Sequence, residues 1–288
     1  CLVSVDKFTG VHEFINIKRN IMKENRQGLC IVATPIGNLN DISERAIYAI
    51  RDCDFIVCEN PKHSLKLLNK LGIKKKLVSL HDYNEDIVIK KISKELKNKR
   101  IVLISDAGSP LISDPGFNLV KYCIKNEVKV STVPGPSSII PALQLSGIPV
   151  NEFYFAGFFP KNKKQIVEFI NKIKDRNTTS VFFVSSHKIN SCLVFLEKEI
   201  KNRFISVSKE LTKINEKTFR GYSNEIIDEF NKSDVNKKGE FVIVVEGKTL
   251  KKTQKKNMSE YNDEISIMLK KFSLTDVVEI VHKLTGNN

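Results

Sequence analysis

Short apolar runs alternate with amphipathic stretches along the first half of the chain, starting at Leu29. The runs are rich in β-branched residues, which is typical of buried strands, and the stretches between them carry apolar residues at helical spacing. This alternation predicts βαβ units and a mostly parallel, five-stranded sheet. The predicted strands are Cys30–Thr34, Asp54–Cys58, Leu77–Leu80, Ile101–Ser105 and Val128–Val133.

The connecting stretches contain residues that favour helix starts. Asp41, with an acid three residues later, resembles a capping box and predicts a helix there. Apolar spacing predicts a single helix over Asn84–Lys99. We expect a further helix to start at Asp114, before a proline, and another to be capped by Ser137.

After Gly147 the pattern changes, because neighbouring strand-like runs follow one another without a helix between them. This arrangement predicts a second, mixed sheet. Its strands are predicted at Phe153–Phe158, Ser180–Ser185, Phe204–Ser208, Lys217–Gly221 and Phe241–Glu246. A chain of 288 residues is long enough for two cores. We therefore predict two α/β domains, at 28–150 and 151–247.

Both ends of the chain differ from these two domains. Residues 1–27 show no sustained period and contain Met22, so we expect a disordered extension or sequence upstream of the natural start. A lysine-rich linker precedes residues 257–288, where we expect a short helical segment. The apolar spacing of Ile265–Leu284 predicts two helices that are broken at Ser273.

The composition favours an anionic partner. The formal net charge is +14 and the pI is about 9.4, which points to nucleic acid ahead of other partners. The excess of lysine (39) over arginine (8) also fits drift in an AT-rich genome, so charge alone is weak evidence. No apolar stretch approaches the roughly 20 residues of a membrane span, and no secretory signal is visible. We therefore expect a cytoplasmic protein without a membrane partner.

Three loops rich in Gly, Pro and hydroxyl residues follow predicted strands of the first half: Thr34–Asn38, Ser105–Gly116 and Pro134–Ser137. The carboxyl ends of parallel strands meet at one sheet edge, where such sheets bind ligands. Taken singly, each loop is more simply explained as an ordinary turn between a strand and a helix, where Gly, Pro and Ser are common. The G-x-G-x-x-G and G-x-x-x-x-G-K-[ST] phosphate-binding motifs are absent from the sequence, which predicts a ligand without a pyrophosphate.

Acid, imidazole and amine groups also follow predicted strands. Glu59 and His63 follow the second strand, and Lys213 follows a strand of the second half. The alternative for each is a helix cap or a solvated surface group. The six cysteines form no C-x-x-C pair and the histidines no i, i+4 pair, so we expect reduced thiols and no metal site.

The order of these motifs resembles the bacterial family of ribosomal RNA small subunit methyltransferases I, within the tetrapyrrole methylase superfamily. The resemblance spans about residues 29–246. The motifs are T-P-I-G-N-L-x-D-I-S-x-R-A (Thr34–Ala46), H-D-x-N-E (His81–Glu85), S-D-A-G-S-P-L-I-S-D-P-G (Ser105–Gly116), P-G-P-S (Pro134–Ser137), G-F-x-P-x-K from Gly157, K-E-L-T-K-x-x-E (Lys209–Glu216), R-G (Arg220–Gly221) and G-E-x-V (Gly239–Val242).

The resemblance implies a two-domain α/β enzyme that binds S-adenosylmethionine between its domains, commonly as a homodimer. It implies 2′-O-methylation of a cytidine in 16S rRNA, with the 30S ribosomal subunit as partner. On that analogy the cofactor site would consist of Pro35, Asp106, Gly108, Ser109, Pro110, Gly135 and Ser137. Because the ribose hydroxyl must lose a proton, Glu59, His63 and Lys213 are the candidate catalytic residues.

The chain departs from the family pattern at several positions. Asn60 and Val184 replace acids, Lys62 and Lys188 replace arginines, and the family's C-terminal helix-turn-helix is expected to be shortened. Lysine keeps the positive charge of arginine but lacks the guanidinium group, which can bind a phosphate through two parallel hydrogen bonds. Two alternatives therefore remain open: a tetrapyrrole or other small-molecule methylase of the same superfamily, and an rRNA-binding relic without activity.

Overall fold

The computed structural model describes residues 27–233, 237–248 and 262–285, and within them ten strands form two five-stranded sheets. The first sheet has the order β3-β2-β4-β1-β5, and every pairing in it is parallel. The predicted parallel sheet is confirmed, with strand ends shifted by one or two residues. Its strands are β1 (Gly28–Val32), β2 (Phe55–Cys58), β3 (Lys76–Ser79), β4 (Arg100–Ile104) and β5 (Val130–Val133).

Helices cover both faces of the first sheet and bury a separate apolar layer on each. One layer includes Ala46, Ile50 and Leu68, and the other includes Ile92 and Leu119. The helices of this half are α1 (Glu44–Asp52), α2 (Pro61–Lys70), α3 (Glu85–Ile92), α4 (Glu95–Asn98), α5 (Phe117–Lys125) and α6 (Ile139–Ser146). The sheet is thus doubly wound, which brings the loops after its strands to one edge.

Several predicted helix starts are wrong by a few residues. Ser43, not Asp41, caps α1, because its side chain accepts a hydrogen bond from Ala46 N while Asp41 lies in a preceding 3₁₀ turn. The segment 84–99 forms two helices, α3 and α4, rather than one. Helix α5 starts after Gly116 rather than at Asp114, so the Ser105–Gly116 loop stays free of helix over its whole length.

The second sheet has the order β6-β7-β10-β8-β9 and is mixed, as predicted: β6 and β7 pair in parallel, and the other pairings are antiparallel. Its strands are β6 (Phe153–Phe158), β7 (Thr179–Ser185), β8 (Ile205–Lys209), β9 (Lys217–Gly221) and β10 (Glu240–Val245), and its helices are α7 (Lys163–Lys174), α8 (Ile189–Ile200) and α9 (Ser223–Asn231). These three helices bury one apolar layer with the sheet.

Helix α6 covers the opposite face of this second sheet. Its residues Ala142 and Leu143 pack in one cluster with Val181, Leu211 and Val244. The helix therefore follows the last strand of the first sheet but packs on the second sheet. The predicted domain boundary near residue 150 stays a prediction.

Two helices follow near the C-terminus, α10 (Asn262–Leu269) and α11 (Leu274–Thr285), so the predicted break at Ser273 is present. Ser273 Oγ lies 2.6 Å from Asp276 Oδ2 and accepts a hydrogen bond from Asp276 N, which caps α11. The predicted extension at residues 1–27 lies, except for its last residue, outside the described residues. In the described part of the chain, no helix is long and apolar enough to cross a membrane.

Candidate ligand site between the two sheets

The three Pro/Gly loops converge at the carboxyl edge of the first sheet. Thr34 N donates to Gly108 O at 2.8 Å and Gly108 N donates to Thr34 O at 2.9 Å, which joins the first two loops. Ser109 Oγ lies 3.4 Å from Pro136 O, which connects the second loop to the third. The three turns are therefore neighbours, as the sequence predicts.

Close backbone contact explains two of the glycines in these loops. Gly108 has a φ of +81°, a conformation that disfavours side chains. A Cβ on Gly135 would lie 3.1 Å from the Cβ of Ala33, so the third loop passes close to the end of β1. Hydrogen bonds between the loops and close contact of their backbones therefore hold the three loops together.

These loops form one wall of a cavity of about 360 Å³ between the two sheets. This volume is within the range of roughly 300–1,000 Å³ that is usual for small-molecule sites. The other wall comes from β6, β7, β10 and the turn after β8. The lining residues are Ile36, Asp106, Ala107, Gly108, Ser109, Ile112, Ser113, Asp114, Ser137, Ser138, Ile139, Phe158, Phe183, Val184, Ser185, Leu211, Glu240, Phe241 and Val242.

The seven predicted cofactor residues fall into two groups. Four of them line the cavity: Asp106, Gly108, Ser109 and Ser137. The other three, Pro35, Pro110 and Gly135, are not among the lining residues and lie next to them in the same loops. The structure thus places all seven predicted cofactor residues in the loops around one cavity. Four of them line it, and the other three are part of the loop backbones next to it.

Carboxyl groups concentrate on the first-sheet wall. Burial, together with the charges of Glu59 and Asp106, raises the pKa of Asp114 from 3.8 to about 6, and a hydrogen bond with Ser105 opposes this rise. Burial and the charges of Asp106 and Asp82 also raise the pKa of Glu59. A carboxyl group that titrates near neutral pH in a cavity is characteristic of functional sites.

The three predicted catalytic residues lie around the cavity rather than in its lining. Glu59 is close enough to Asp114 for its charge to raise the pKa of Asp114, and the charge of Asp106 in turn raises the pKa of Glu59. The His63 side chain is exposed on α2. Asp114 does line the cavity, and sequence reasoning treated it only as a helix start. Its pKa is raised first by burial and then by Glu59, which follows another strand, so the sequence near Asp114 gives little sign of the shift.

Lys213 belongs to an ion-pair cluster at the junction of the two sheets. Its Nζ donates to Glu210 Oε1 at 2.9 Å and to Glu240 Oε2 at 3.0 Å. Burial opposes the charge, but the hydrogen bonds with both glutamates raise the pKa of Lys213. The neighbouring Thr212 Oγ1 accepts a hydrogen bond from Asn38 N at 3.1 Å, which ties the first loop to the second half.

Aromatic side chains lie on the second-sheet wall, and basic side chains lie beside it. The rings of Phe158 and Phe183 lie 5.0 Å apart, centre to centre, and both line the cavity. Ser185 Oγ lies 3.3 Å from His187 Nε2. Lys188 Nζ donates to Pro160 O at 2.9 Å. The first-sheet wall therefore carries the carboxyl groups Asp106 and Asp114, whereas the second-sheet wall is mainly apolar, with Glu240 as its charged lining residue and Lys188 beside it.

Glu85 has a structural role that its motif does not reveal. It is buried, and its carboxylate accepts hydrogen bonds from Gly116 N at 2.5 Å and Asn118 N at 2.9 Å. It thereby fixes the start of α5 and the end of the Ser105–Gly116 loop. Over the described residues, no cluster of three or more His, Cys, Asp or Glu side chains has the arrangement of a metal site.

A family model described as Tetrapyrrole (Corrin/Porphyrin) Methylases matches residues 28–227, and the chain belongs to this family. Solved structures agree on the fold. A diphthine synthase aligns with a TM-score of 0.58 at 17% identity, covering 76% of this chain and 89% of its own. A uroporphyrin-III-C-methyltransferase from Thermus thermophilus aligns at 0.53 and 15%, covering 77% and 94%.

Curated relatives named ribosomal RNA small subunit methyltransferase I give a more specific similarity, and three of them illustrate it. The Thermotoga maritima protein is 40% identical over 221 residues, which cover 76% of this chain and 98% of the relative. The Haemophilus influenzae protein is 40% identical over 241 residues, covering 83% and 82%. The protein of Buchnera aphidicola subsp. Acyrthosiphon pisum is 37% identical over 265 residues, covering 90% and 93%.

Proposed function

We propose that this chain is an S-adenosylmethionine-dependent methyltransferase that methylates the 2′-hydroxyl of a cytidine in 16S rRNA of the small ribosomal subunit. The observation that carries the proposal is the meeting of three Pro/Gly loops at one cavity, in a chain about 40% identical to proteins named for rRNA methylation. On the same resemblance we propose a cytoplasmic location and a homodimer. Sedimentation of the purified chain tests the homodimer.

The lining residues suit S-adenosylmethionine. The cofactor is cationic at sulfur and carries no pyrophosphate, and the acidic wall with Asp106 and Asp114 favours a cation. Apolar side chains such as Ile139 and Leu211 supply a surface for a flat purine. Ser109 and Ser137 offer hydroxyl groups for its polar edges.

When bound, the cofactor supplies an electrophilic methyl group. The protein holds the ribose hydroxyl in line with that group, and positioning of this kind is worth on the order of 7–11 kcal/mol. Asp114 is the best placed proton acceptor, because it lines the cavity and has a pKa of about 6. A positioned base adds a factor of about 10²–10⁴. Glu59 keeps the negative charge near Asp114 and supports its role as a base.

Transfer of labelled methyl groups tests the substrate. Purified 30S particles should become labelled on a cytidine ribose, while a porphyrinoid should not. Label on the porphyrinoid alone would favour a tetrapyrrole methylase. Binding of the particles without any label would identify an inactive relic.

Calorimetry tests the cofactor site independently of the substrate. The substitutions Asp106→Ala and Gly108→Trp should abolish binding of S-adenosylmethionine, because one removes a cavity carboxylate and the other fills the space. Asp106→Asn separates the two roles of this residue, since it keeps an oxygen for the hydrogen bond from Asn60 N but loses the charge. Unchanged affinity in all three variants would contradict the site assignment.

A further inference from the structure

Phe158 lies at an irregularity in the second sheet that turns its ring toward the cavity. The pairing of β6 with β7 shifts register between Phe155 and Phe158, and the intervening Gly157 has a φ of +75°. Bulges of this kind redirect a side chain. Despite its contact with Phe183, Phe158 is 58% exposed, so an apolar face is available at the cavity mouth.

Two lysines lie at the chain segment that follows Phe158. Lys188 Nζ donates to Pro160 O at 2.9 Å and more weakly to Phe159 O at 3.4 Å, which places the ammonium next to the chain segment that follows Phe158. An ammonium has three donors, so one remains for a ligand. Lys161 follows Pro160 directly in the chain, so both lysines lie at this segment, and burial and the charge of Lys161 lower the pKa of Lys188.

These lysines are not neutralised by acids. Within the described part of the chain, no carboxylate forms an ion pair with Lys161 or Lys188. Two adjacent cations without counter-charge favour a phosphate, and an exposed aromatic ring favours a flat base. A nucleotide of single-stranded RNA carries both groups at a suitable separation.

The charges around the cavity separate the two ligands. The first-sheet wall carries two carboxyl groups, whereas Glu240, on the second-sheet wall, is paired with Lys213. The carboxylates of Asp106 and Asp114 favour the cationic cofactor on the first-sheet side and repel phosphate. Phe158, Lys161 and Lys188 lie on the second-sheet side. The polyanionic substrate is therefore expected to approach over the second sheet, with the reacting hydroxyl between the walls.

We propose that Phe158, Lys161 and Lys188 form a nucleotide subsite, in which an unstacked RNA base lies on the Phe158 ring and the adjoining phosphate binds the two ammonium groups. This inference rests on the proposed function, because it assigns the RNA side of the same cleft. It predicts that RNA contacts Phe158 and that the cofactor does not.

The absence of tryptophan from the chain makes a direct test possible. Phe158→Trp introduces a single indole at the subsite, and Phe153→Trp introduces one at the far end of the same strand as a matched control; excitation at about 295 nm selects the indole over the six tyrosines. We expect single-stranded oligocytidylate to quench the indole fluorescence of Phe158→Trp and leave that of the control unchanged. S-adenosylhomocysteine alone should quench neither. Quenching of the first variant by S-adenosylhomocysteine, or no response to RNA, would overturn the proposal.

Steady-state kinetics on 30S particles provide the second test. Phe158→Ala should raise KM on the order of tenfold with little change in kcat, since stacking aids binding of the substrate. Lys161→Met and Lys188→Met should each reduce the slope of log affinity against log salt by about one. Lys172→Met, in the last turn of α7, is the control and should leave the slope unchanged.

The two proposals fail in different ways. If the unsubstituted chain methylates 30S particles but the three subsite variants keep its KM and salt slope, only the subsite is wrong. If the unsubstituted chain methylates nothing while RNA still quenches the fluorescence of Phe158→Trp, the subsite stands and the enzymatic proposal is wrong.

Discussion

The backbones of Thr34 and Gly108 form an isolated antiparallel bridge, with both amide–carbonyl pairs at 2.8–2.9 Å. The bridge joins the ends of β1 and β4, two neighbouring strands of the first sheet. It therefore fixes the separation of two loops that line the cavity. A change in the Gly108 backbone should be transmitted to both.

Gly108→Ala should reduce stability and cofactor affinity together. At a φ of +81° a side chain costs about 1–2 kcal/mol, whereas the new Cβ makes only ordinary contacts, with Ile36 Cγ2 at 3.4 Å and Pro136 O at 3.8 Å. Gly72→Ala is the matched control, because Gly72 has a φ of +65°, open space around it and a place at the end of α2. Denaturant unfolding should show similar losses in both, and calorimetry should show lower affinity for Gly108→Ala alone. Equal affinities would mean that the bridge does not shape the site.

Removal of the Glu85 carboxylate should destabilise the Ser105–Gly116 loop at its C-terminal end. In Glu85→Ala the amides of Gly116 and Asn118 lose their acceptor, which costs on the order of 1–3 kcal/mol for a buried donor. Glu85→Gln keeps one oxygen and should lose less. The exposed neighbour Asp86, replaced by alanine, is the control. Thermal unfolding that ranks Asp86→Ala as the most destabilised variant would contradict this role.

Buried strands such as Phe241–Val245 can be predicted because they need a continuous run of apolar residues. Such a run is a local feature that is visible in the sequence. The helix starts are harder, because capping depends on which oxygen reaches an amide. Asp41 and Ser43 are both suitable caps by composition, and only the 3₁₀ turn at Leu39–Asp41 decides for Ser43.

The candidate site likewise has features that the sequence predicts and features that it does not. The Gly and Pro loops are visible in the sequence, since their backbone chemistry is local. The role of Lys213 depends on Glu240, which is 27 residues away, and the pKa of Asp114 depends on Glu59 from another strand. Long-range electrostatics and burial arise only in the folded chain, which is why sequence reasoning selected Lys213 as a possible base and overlooked Asp114.

Lys213→Met should affect cofactor affinity more than proton transfer. Its hydrogen bonds with Glu210 and Glu240 keep the ammonium protonated, so the residue is unsuited to accept a proton at neutral pH. We expect the pH at half-maximal kcat to stay the same and KM for the cofactor to rise. Lys213→Arg, which keeps the charge, should restore most of the affinity. Loss of the rising limb of the pH profile in Lys213→Met would show that Lys213 is the base after all.

Asp114→Asn should change both the pH dependence of stability and the rate. The pKa of Asp114 is about 6 in the folded chain against 3.8 for an ordinary Asp, so the folded state takes up a proton between about pH 4 and pH 6 before the unfolded state does. This group therefore destabilises the fold above about pH 6, and the cost disappears as the pH falls toward 4. The raised pKa of Glu59 acts in the same direction.

The neutral amide removes this cost, so Asp114→Asn should unfold at a higher temperature than the unsubstituted chain at pH 7.5 and at nearly the same temperature at pH 4. If Asp114 is also the proton acceptor, kcat should fall by about 10²–10⁴ and lose its rise near pH 6. Asp82→Asn, at an exposed neighbour of the same acidic group, should keep that rise. Thermal melts combined with pH–rate profiles separate the two effects. A stabilised variant with full activity would leave Asp114 as a source of strain only and return the role of base to Glu59 or His63.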